Sequence, residues 1–409
     1  MPKEKFITAL DIGSSSIRCI VAEKGPQSLY NILASACVTH NCIKRGVAIK
    51  LKELSAAISN AVYAAEEESG KKLHSVYVNV CDPNITGMLS RGEIVIADRD
   101  SEITHYDIEK VIKSAKSINL AYEREIFHTV NLGYTVDGEA GIFDPNGMFG
   151  FKLEADVYLI TVKASVIENL KKAIRQAGIG IADLVISSIP TALALLSDHE
   201  RKIGTVLVDI GADITEVSIY VDNLLQYIKI LPIGGNQITE KIARRFNLAK
   251  EDAERVKLEN ADLDKEISDH DEIILNSDLN KKKILKKDLQ VLMRQAYKDL
   301  FISIKIAAFE SRIFRDAANG VVLSGAVSIA DGAAEMAELE FGAPVRVGHI
   351  TGLGLCVHPI AGHIYDTCVG LIKYGFIQNE QKRGLLQRGA KNAVTSIFSY
   401  ARTLYREYF

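Results

Sequence analysis

The six cysteines of this 409-residue chain, Cys19, Cys37, Cys42, Cys81, Cys356 and Cys368, include no CxxC pair, and none stands at metal-ligand spacing from the nine histidines. A zinc module is excluded, and the thiols are expected to be reduced, as in the cytosol. An excess of charge of one sign is also lacking. The 49 lysines and arginines nearly balance 52 aspartates and glutamates, so the net charge of -3 offers no electrostatic footprint for nucleic acid, and no nucleic-acid partner is expected. No apolar run approaches the roughly 20 residues of a spanning helix. MPKEKFITALDIG passes from a short charged lead straight into a strand, with no apolar signal-peptide core and no small-residue cleavage site. The chain is therefore expected to stay in the cytoplasm and to meet any membrane from its surface.

What is present is the composition of an ordinary globular protein, 47% hydrophobic and 25% charged, and an internal echo. ALDIGSSSIRCIVAE (9–23) and VLVDIGADITEVSIY (206–220) echo each other, with Asp11 falling on Asp209 at an offset of 198 residues. In each, an apolar run ends in Asp-Ile-Gly, small or polar residues follow, and alternation resumes as a second strand. A duplicated domain explains the echo; two unrelated hairpins sharing a tripeptide is the alternative.

Helical patterns between these hairpins predict a layered α/β architecture. Leu54, Ile58, Ala61, Val62 and Ala65 keep one apolar stripe. Ser165 and Glu168 predict a capping box ahead of Val166, Ile167, Leu170, Ala173 and Ile174, with Gly178 at the C-terminal end. Asn236 is a candidate cap for a helix ending at Phe246, and 287–313 carries a long helix with one buried side. A run from about 82 to 162 reads as an inserted subdomain with a Thr104-capped helix, and from Lys373 onward the polar, basic YGFIQNEQKRGLLQRGAKN reads as a tether.

A glycine following a buried aspartate at a tight strand-to-strand turn lets backbone N–H groups approach phosphate oxygens, while the aspartate can hold a hydrated magnesium ion. Asp11, Gly13, Ser14 and Ser15 fit on one side, Asp209 and Gly211 on the other, with Asp11 and Asp209 as the metal-holding pair. Such loops suit two half-molecules that face each other across a cleft and pinch a phosphate tail. Arg18 stands either to reach phosphate or to lie on a solvated face. Gly234 and Gly235 precede a helix whose N-terminus could meet an anion. Glu254 and Lys257 share a helical face, which suits a cleft or an ordinary surface ion pair. Ser324 and Gly325 end a strand, either as a packing place for a planar base or as a plain turn.

Collectively these segments, with the helices at SIPTALALLS and HPIAGHIYDTCVGLIKYG, resemble the sugar kinase, heat-shock chaperone and actin superfamily. Within it the chain resembles the FtsA family. The insertion carries the likeness most specifically, with Asp144, Pro145, Gly147, Met148, Gly150, Leu153, Glu154 and Ala155 in that family's order. The resemblance implies duplicated, ribonuclease-H-like actin domains: 1–81 and 163–203 as the first, interrupted by the insertion at 82–162, and 204–375 as the second. A flexible linker at 376–391 and a membrane-targeting helix at 392–409 would follow. It also implies ATP and Mg2+ as ligands, with nucleotide contacts at Asp11, Gly13, Ser14, Ser15, Asp209, Gly211, Gly234, Gly235, Asn236, Glu254, Lys257 and Gly325. The implied partners are the C-terminal peptide of FtsZ, further copies of the chain in actin-like polymers, an anionic membrane surface and downstream divisome proteins. The implied location is the cytoplasmic side of the inner membrane at the septum. Lys286, Lys287, Arg294 and the lysines at 281–283 offer positive charge for the peptide, or a solvated helix face.

The chain departs from the family at Ala212 and Asp213, where many relatives have glycines and a threonine, and at Ala326, where a second glycine is common. A carboxylate beside a γ-phosphate repels it unless a metal ion intervenes, so binding is expected with slow hydrolysis at best. In the tail, Val394, Ile397, Phe398, Ala401, Leu404, Tyr405, Tyr408 and Phe409 advance by steps of 3 and 1, forming one helical face with Lys382, Arg383, Arg388 and Lys391 upstream. That pattern suits a helix lying in the headgroup plane, against the alternative of a helix docked on the core. A small-molecule kinase or phosphatase on the same fold, or a pilus-assembly scaffold, are the rival functions; neither has an evident use for such a tail.

Overall fold

Apolar, β-branched runs at both ends of the first hairpin build strands buried on both faces, as a sheet covered by helices requires. In the computed structural model, residues 6–387 are described, except 27–28, 97–101, 266–267, 269, 278–279 and 357–361. The chain begins with β1 (Phe6–Ile12), β2 (Ser16–Lys24), β3 (Tyr30–Thr39), the small hairpin β4 (Ile43–Lys44) and β5 (Val47–Ala48), helix α1 (Leu51–Ser69) and β6 (Ser75–Val80). The insertion supplies β7 (Thr86–Val95), α2 (His105–Lys116), β8 (Arg124–Val136), β9 (Glu139–Ile142) and β10 (Lys152–Lys163). Next come α3 (Ala164–Gln176), β11 (Gly180–Ile186), α4 (Ser188–Leu195) and α5 (Asp198–Ile203). The second half holds β12 (Thr205–Ile210), β13 (Thr215–Val221), β14 (Leu224–Leu231), α6 (Gly235–Phe246), α7 (Lys250–Glu259), β15 (Glu272–Ser277), β16 (Asn280–Leu285) and α8 (Lys286–Phe309). It continues through β17 (Val321–Ser324), α9 (Ala333–Phe341), β18 (Val345–Val347), β19 (Leu353–Cys356) and α10 (Asp366–Gln387).

The two main sheets repeat one topology. The first runs β11-β6-β1-β2-β3-β19 and the second β18-β17-β12-β13-β14. Each has an antiparallel three-strand meander flanked by parallel strands on the side of its first strand. Equivalence over five strands settles the echo as a duplicated domain rather than a shared tripeptide.

The insertion forms its own sheet, β7-β10-β8-β9. Thr104 caps α2 with a capping box to Asp107, as the sequence predicts. The helix lies so close to β7 that a Cβ on Gly92 would stand 2.3 Å from the Val111 carbonyl oxygen. Tyr158 ties the insertion to the second half, its hydroxyl accepting from the Ile228 N–H at 2.9 Å.

Three expectations need correction. Ser165 and Glu168 make no capping box: α3 starts at Ala164 after an uncapped Lys163, and Glu168 pairs instead with Lys171 at 2.8 Å. The second domain does not extend to 375, because β19 pairs in parallel with β3 and α10 packs on α4, β1 and β2. The chain has thus returned to the first sheet by Leu353. Nor is 376–391 a flexible linker throughout. Helix α10 continues to Gln387, Ile377 and Gln378 are buried, and Phe376 packs on Tyr30 with ring centroids 5.4 Å apart. Its apolar side docks on the first domain, and its polar residues led the sequence reading to a tether. The tail helix at 392–409, with all eight of its candidate membrane residues, lies outside the described residues.

Candidate functional site

Each of the two duplicated hairpins closes its turn in the same way. The Gly13 N–H donates to the Ser16 carbonyl at 3.0 Å, and the Gly211 N–H to the Ile214 carbonyl at 2.9 Å. A Cβ at either glycine would stand 3.1 Å from that carbonyl oxygen. The two turns face a common cleft of about 1080 Å³, the size of a small-molecule site. It is lined by every candidate contact named above except Gly234, which lies directly behind: a Cβ there would stand 2.5 Å from the Gly211 carbonyl oxygen.

The cleft floor is acidic, and its two halves handle that charge differently. Asp11 is buried at 6% exposure, receives Asn79 Nδ2 at 2.7 Å and pairs with Arg18 at 3.0 Å. Arg18 is thus neither solvated nor free for phosphate alone. It faces the cleft while neutralising Asp11. Across the cleft, Asp209 pairs directly with no cation among the described residues, and Arg18 acts on it only at longer range. Burial, followed by the charges of Asp366 and Asp11, pushes its carboxyl up to about 7. Burial and then Asp209 push the Glu216 carboxyl to about 8, and Cys81 donates to it at 3.4 Å. Ser324 Oγ donates to Asp366 Oδ2 at 2.8 Å, and His363 Nδ1 is hydrogen-bonded to the same oxygen at 3.2 Å. That bond holds the His363 imidazole above its ordinary range.

On the wall, Lys257 Nζ donates to Glu254 at 2.7 Å and Thr239 at 2.9 Å, with its side chain only 9% exposed. The pair belongs to the cleft and is not a solvated surface bridge. Gly325 has φ +85°, and a Cβ there would stand 2.2 Å from the Ile210 carbonyl oxygen, so β12, β17 and the turn after Ser324 meet at a point only glycine fits. At α6 the expected arrangement is altered. The Gly235 and Asn236 N–H groups donate to the Gly211 and Ala212 carbonyls at 2.9 and 2.7 Å, so the start of the helix braces the second turn. Asn236 does not cap α6; its side chain donates to Asp213 Oδ1 at 2.6 Å.

Two families of sequence match this chain. The family described as "SHS2 domain inserted in FTSA" matches residues 83–161, and "Cell division protein FtsA" matches 206–370. Cell division protein FtsA of Pseudomonas aeruginosa is 28% identical over 374 residues, covering 91% of this chain and 89% of the relative. That of Borreliella burgdorferi is 28% identical over 404 residues and 96% of each chain. The Escherichia coli K12 protein is 26% identical over 385 residues, 91% of this chain and 90% of its own. The chain belongs to the FtsA family. It is a bacterial cell division protein with a mixed α/β, actin-like fold and an SHS2 insertion. Solved structures agree on the fold: the PilM-PilN type IV pilus biogenesis complex matches with TM-score 0.65 at 16% identity, covering 91% of this chain and 99% of that one. MreB5 of Spiroplasma citri bound to ADP matches with TM-score 0.57 at 11% identity, covering 95% and 100%. Among the described residues, no helix is long and apolar enough to cross a membrane.

In this FtsA-family chain several cleft residues escape a reading of motifs. Glu216 stands at the position of Arg18 in the duplicated frame, so the offset that reveals Asp209 also points to it. Asn79, Cys81 and His363 carry no local signal, because they reach the cleft from segments remote in sequence. The charge envisaged for a peptide is partly engaged: Lys283 pairs with Glu272 at 2.7 Å, and Arg294 Nε donates to the Leu263 carbonyl.

Proposed function

We propose that the cleft binds an adenine nucleotide, ATP with Mg2+ in the loaded state, and that the chain tethers FtsZ filaments to the cytoplasmic face of the inner membrane at the division septum. The observation that carries the nucleotide reading is the facing pair of identically closed turns, with donors and acids converging between them. Among the described residues, Ser14 Oγ in the first turn and Asp366 Oδ1 beneath the floor are buried without a partner, and Gly235 and Gly325 bring main chain to the cleft where a Cβ would meet Val327 Cγ2 at 2.9 Å and the Ile210 carbonyl oxygen at 2.2 Å. These features fit a phosphate tail and a cation. Among the described residues no three carboxylate, imidazole or thiol side chains converge to coordinate a metal ion directly, so Asp11 and Asp209 would hold Mg2+ largely through its water ligands. The ion would neutralise phosphate charge. Arg18 and Lys257 supply the protein's own positive charge, and the turn at Gly325 gives a base a flat place to pack.

For the tether, family membership supports recognition of the FtsZ C-terminal peptide, self-association into actin-like polymers and recruitment of further divisome proteins. The 3-and-1 face of 392–409 supports membrane attachment. Slow turnover at most is expected, given Ala212, Asp213 and Ala326. Co-sedimentation of FtsZ with anionic liposomes tests this reading: the full chain should bring FtsZ down, and a chain ending at Lys391 or carrying Phe398→Glu should leave it in solution. Equal sedimentation of FtsZ with all three would reject the tether. The pilus-scaffold alternative has only fold-level likeness behind it.

A further inference from the structure

Asp213 brings a carboxylate into the second turn, and its surroundings show a use for it. Its counterpart in the first turn, 198 residues earlier, is the small Ser15. Both Asp213 carboxylate oxygens are engaged, one by each half of the molecule. Oδ2 accepts from the Arg45 main-chain N–H at 3.0 Å, and Oδ1 from Asn236 Nδ2 at 2.6 Å. The Arg45 donor is presented by the tight two-residue turn of the β4–β5 hairpin, where Arg45 has φ +49° and Gly46 φ +78°. That turn is wedged in place: a Cβ on Gly46 would stand 2.6 Å from Pro83 Cδ and 3.5 Å from Ile214 Cγ2. Two donors, one from each wall, therefore converge on one anionic group at the rim of the second turn, and the chain supplies that group itself.

We propose that Asp213 is a built-in anion standing where the terminal phosphate of a triphosphate would enter, so that this cleft favours a nucleoside diphosphate. The inference rests on the nucleotide reading above and narrows it. A triphosphate brings added negative charge to a carboxylate that already holds the local donors, so it must displace Asp213 or spend a metal ion on screening it. A diphosphate ends short of this position. The strap between the Arg45 and Asn236 donors then stays intact, keeping the two halves joined on the phosphate side of the cleft.

The test is competition of ADP and of ATP, each with magnesium, against a fluorescent ADP analogue on the full chain. It is run on the wild type, Asp213→Gly and the near-isosteric, uncharged Asp213→Asn, with melting curves for each. The wild type should bind ADP about tenfold or more tightly than ATP. In any folded variant that preference should shrink at least about fivefold, chiefly through tighter ATP binding, because the repelling charge is gone. An unchanged ADP-to-ATP preference in a folded variant overturns the role of Asp213 and leaves the nucleotide reading standing. Failure of the wild type to bind either nucleotide overturns both.

Discussion

Arg18 and Glu216 occupy the same position in the two halves of the molecule, yet one is a base and the other an acid. Arg18 lies across the β1–β2 ladder from Asp11, and Glu216 lies across the β12–β13 ladder from Asp209. The first half therefore neutralises its cleft aspartate with an internal cation. The second sets one acid against another and retains protons instead, so its negative charge becomes available when a cation arrives. An asymmetric pair of acids on a symmetric frame suits a site that holds one metal ion off-centre.

Removing the Arg18 cation should be costly. Arg18→Leu leaves Asp11, 6% exposed, with Asn79 and no counter-ion. Breaking a buried pair from one side costs about 3–5 kcal/mol. Urea unfolding at neutral pH measures it; a loss under about 1 kcal/mol would mean that Asp11 simply takes up a proton.

Glu216 predicts a stability that depends on pH. Its carboxyl is raised from 4.5 to about 8, so the folded protein holds a proton that the unfolded chain has released. Stability from this group is complete below about 4.5 and is lost as pH rises toward 8. Glu216→Gln, which mimics the protonated side chain, should be more stable than the wild type by a margin that grows with pH over 5.5–7.5. The growth is at most about 1.4 kcal/mol per pH unit. Paired urea titrations at three pH values read the slope, and a flat difference rejects it.

Gly325, a strand-end glycine and expected nucleotide contact, also carries a packing constraint that the sequence does not display. Gly325→Ala must place a methyl 2.2 Å from the Ile210 carbonyl oxygen at φ +85°. Strained backbone and overpacking at one position together cost about 2–4 kcal/mol. The shift falls on the cleft itself, so nucleotide binding should weaken in protein that is still folded at low temperature. Undiminished affinity there would show that β17 and its turn do not shape the pocket.

The body of the fold was legible because duplication and periodicity are written locally. The stripe Leu54, Ile58, Ala61, Val62 and Ala65 is buried as read, and the turns at Gly13 and Gly211 are true equivalents. The segment from Leu353 to Gln387 was misassigned for a physical reason. Lys373 and Gln378 are buried at 8% and 1% exposure, and a polar side chain inside a docked helix has the letters of a solvated one. The cleft was legible in its two turns and their aspartates, and Glu216 lay within reach of the duplication offset, but Asn79, His363 and Asp366 carry no local signal because they meet only after both sheets have formed.

Buried Lys373 supports the final prediction. Helix α4 is buried along its whole length and leads from the first domain toward the second, yet its terminal carbonyls need donors. Three cations supply them. Lys373 Nζ donates to the Leu193 carbonyl at 2.9 Å and the Ala194 carbonyl at 3.4 Å, Arg346 to Leu195 at 3.1 Å and Arg201 to Leu196 at 2.8 Å. The charges also oppose the negative end of the helix dipole. Lys373→Met keeps the side-chain length and removes the lysine's bonds to the Leu193 carbonyl and to the Ala194 carbonyl, which still accepts from the Thr351 N–H at 3.4 Å, an expected loss of about 2–4 kcal/mol. Because Lys373 sits on α10 and the capped carbonyls on α4, amide exchange should quicken in both helices together, while the insertion, with its separate core, exchanges at the wild-type rate. Faster exchange confined to α10 would mean that the lysine is a local packing element and does not clasp the connection between the domains.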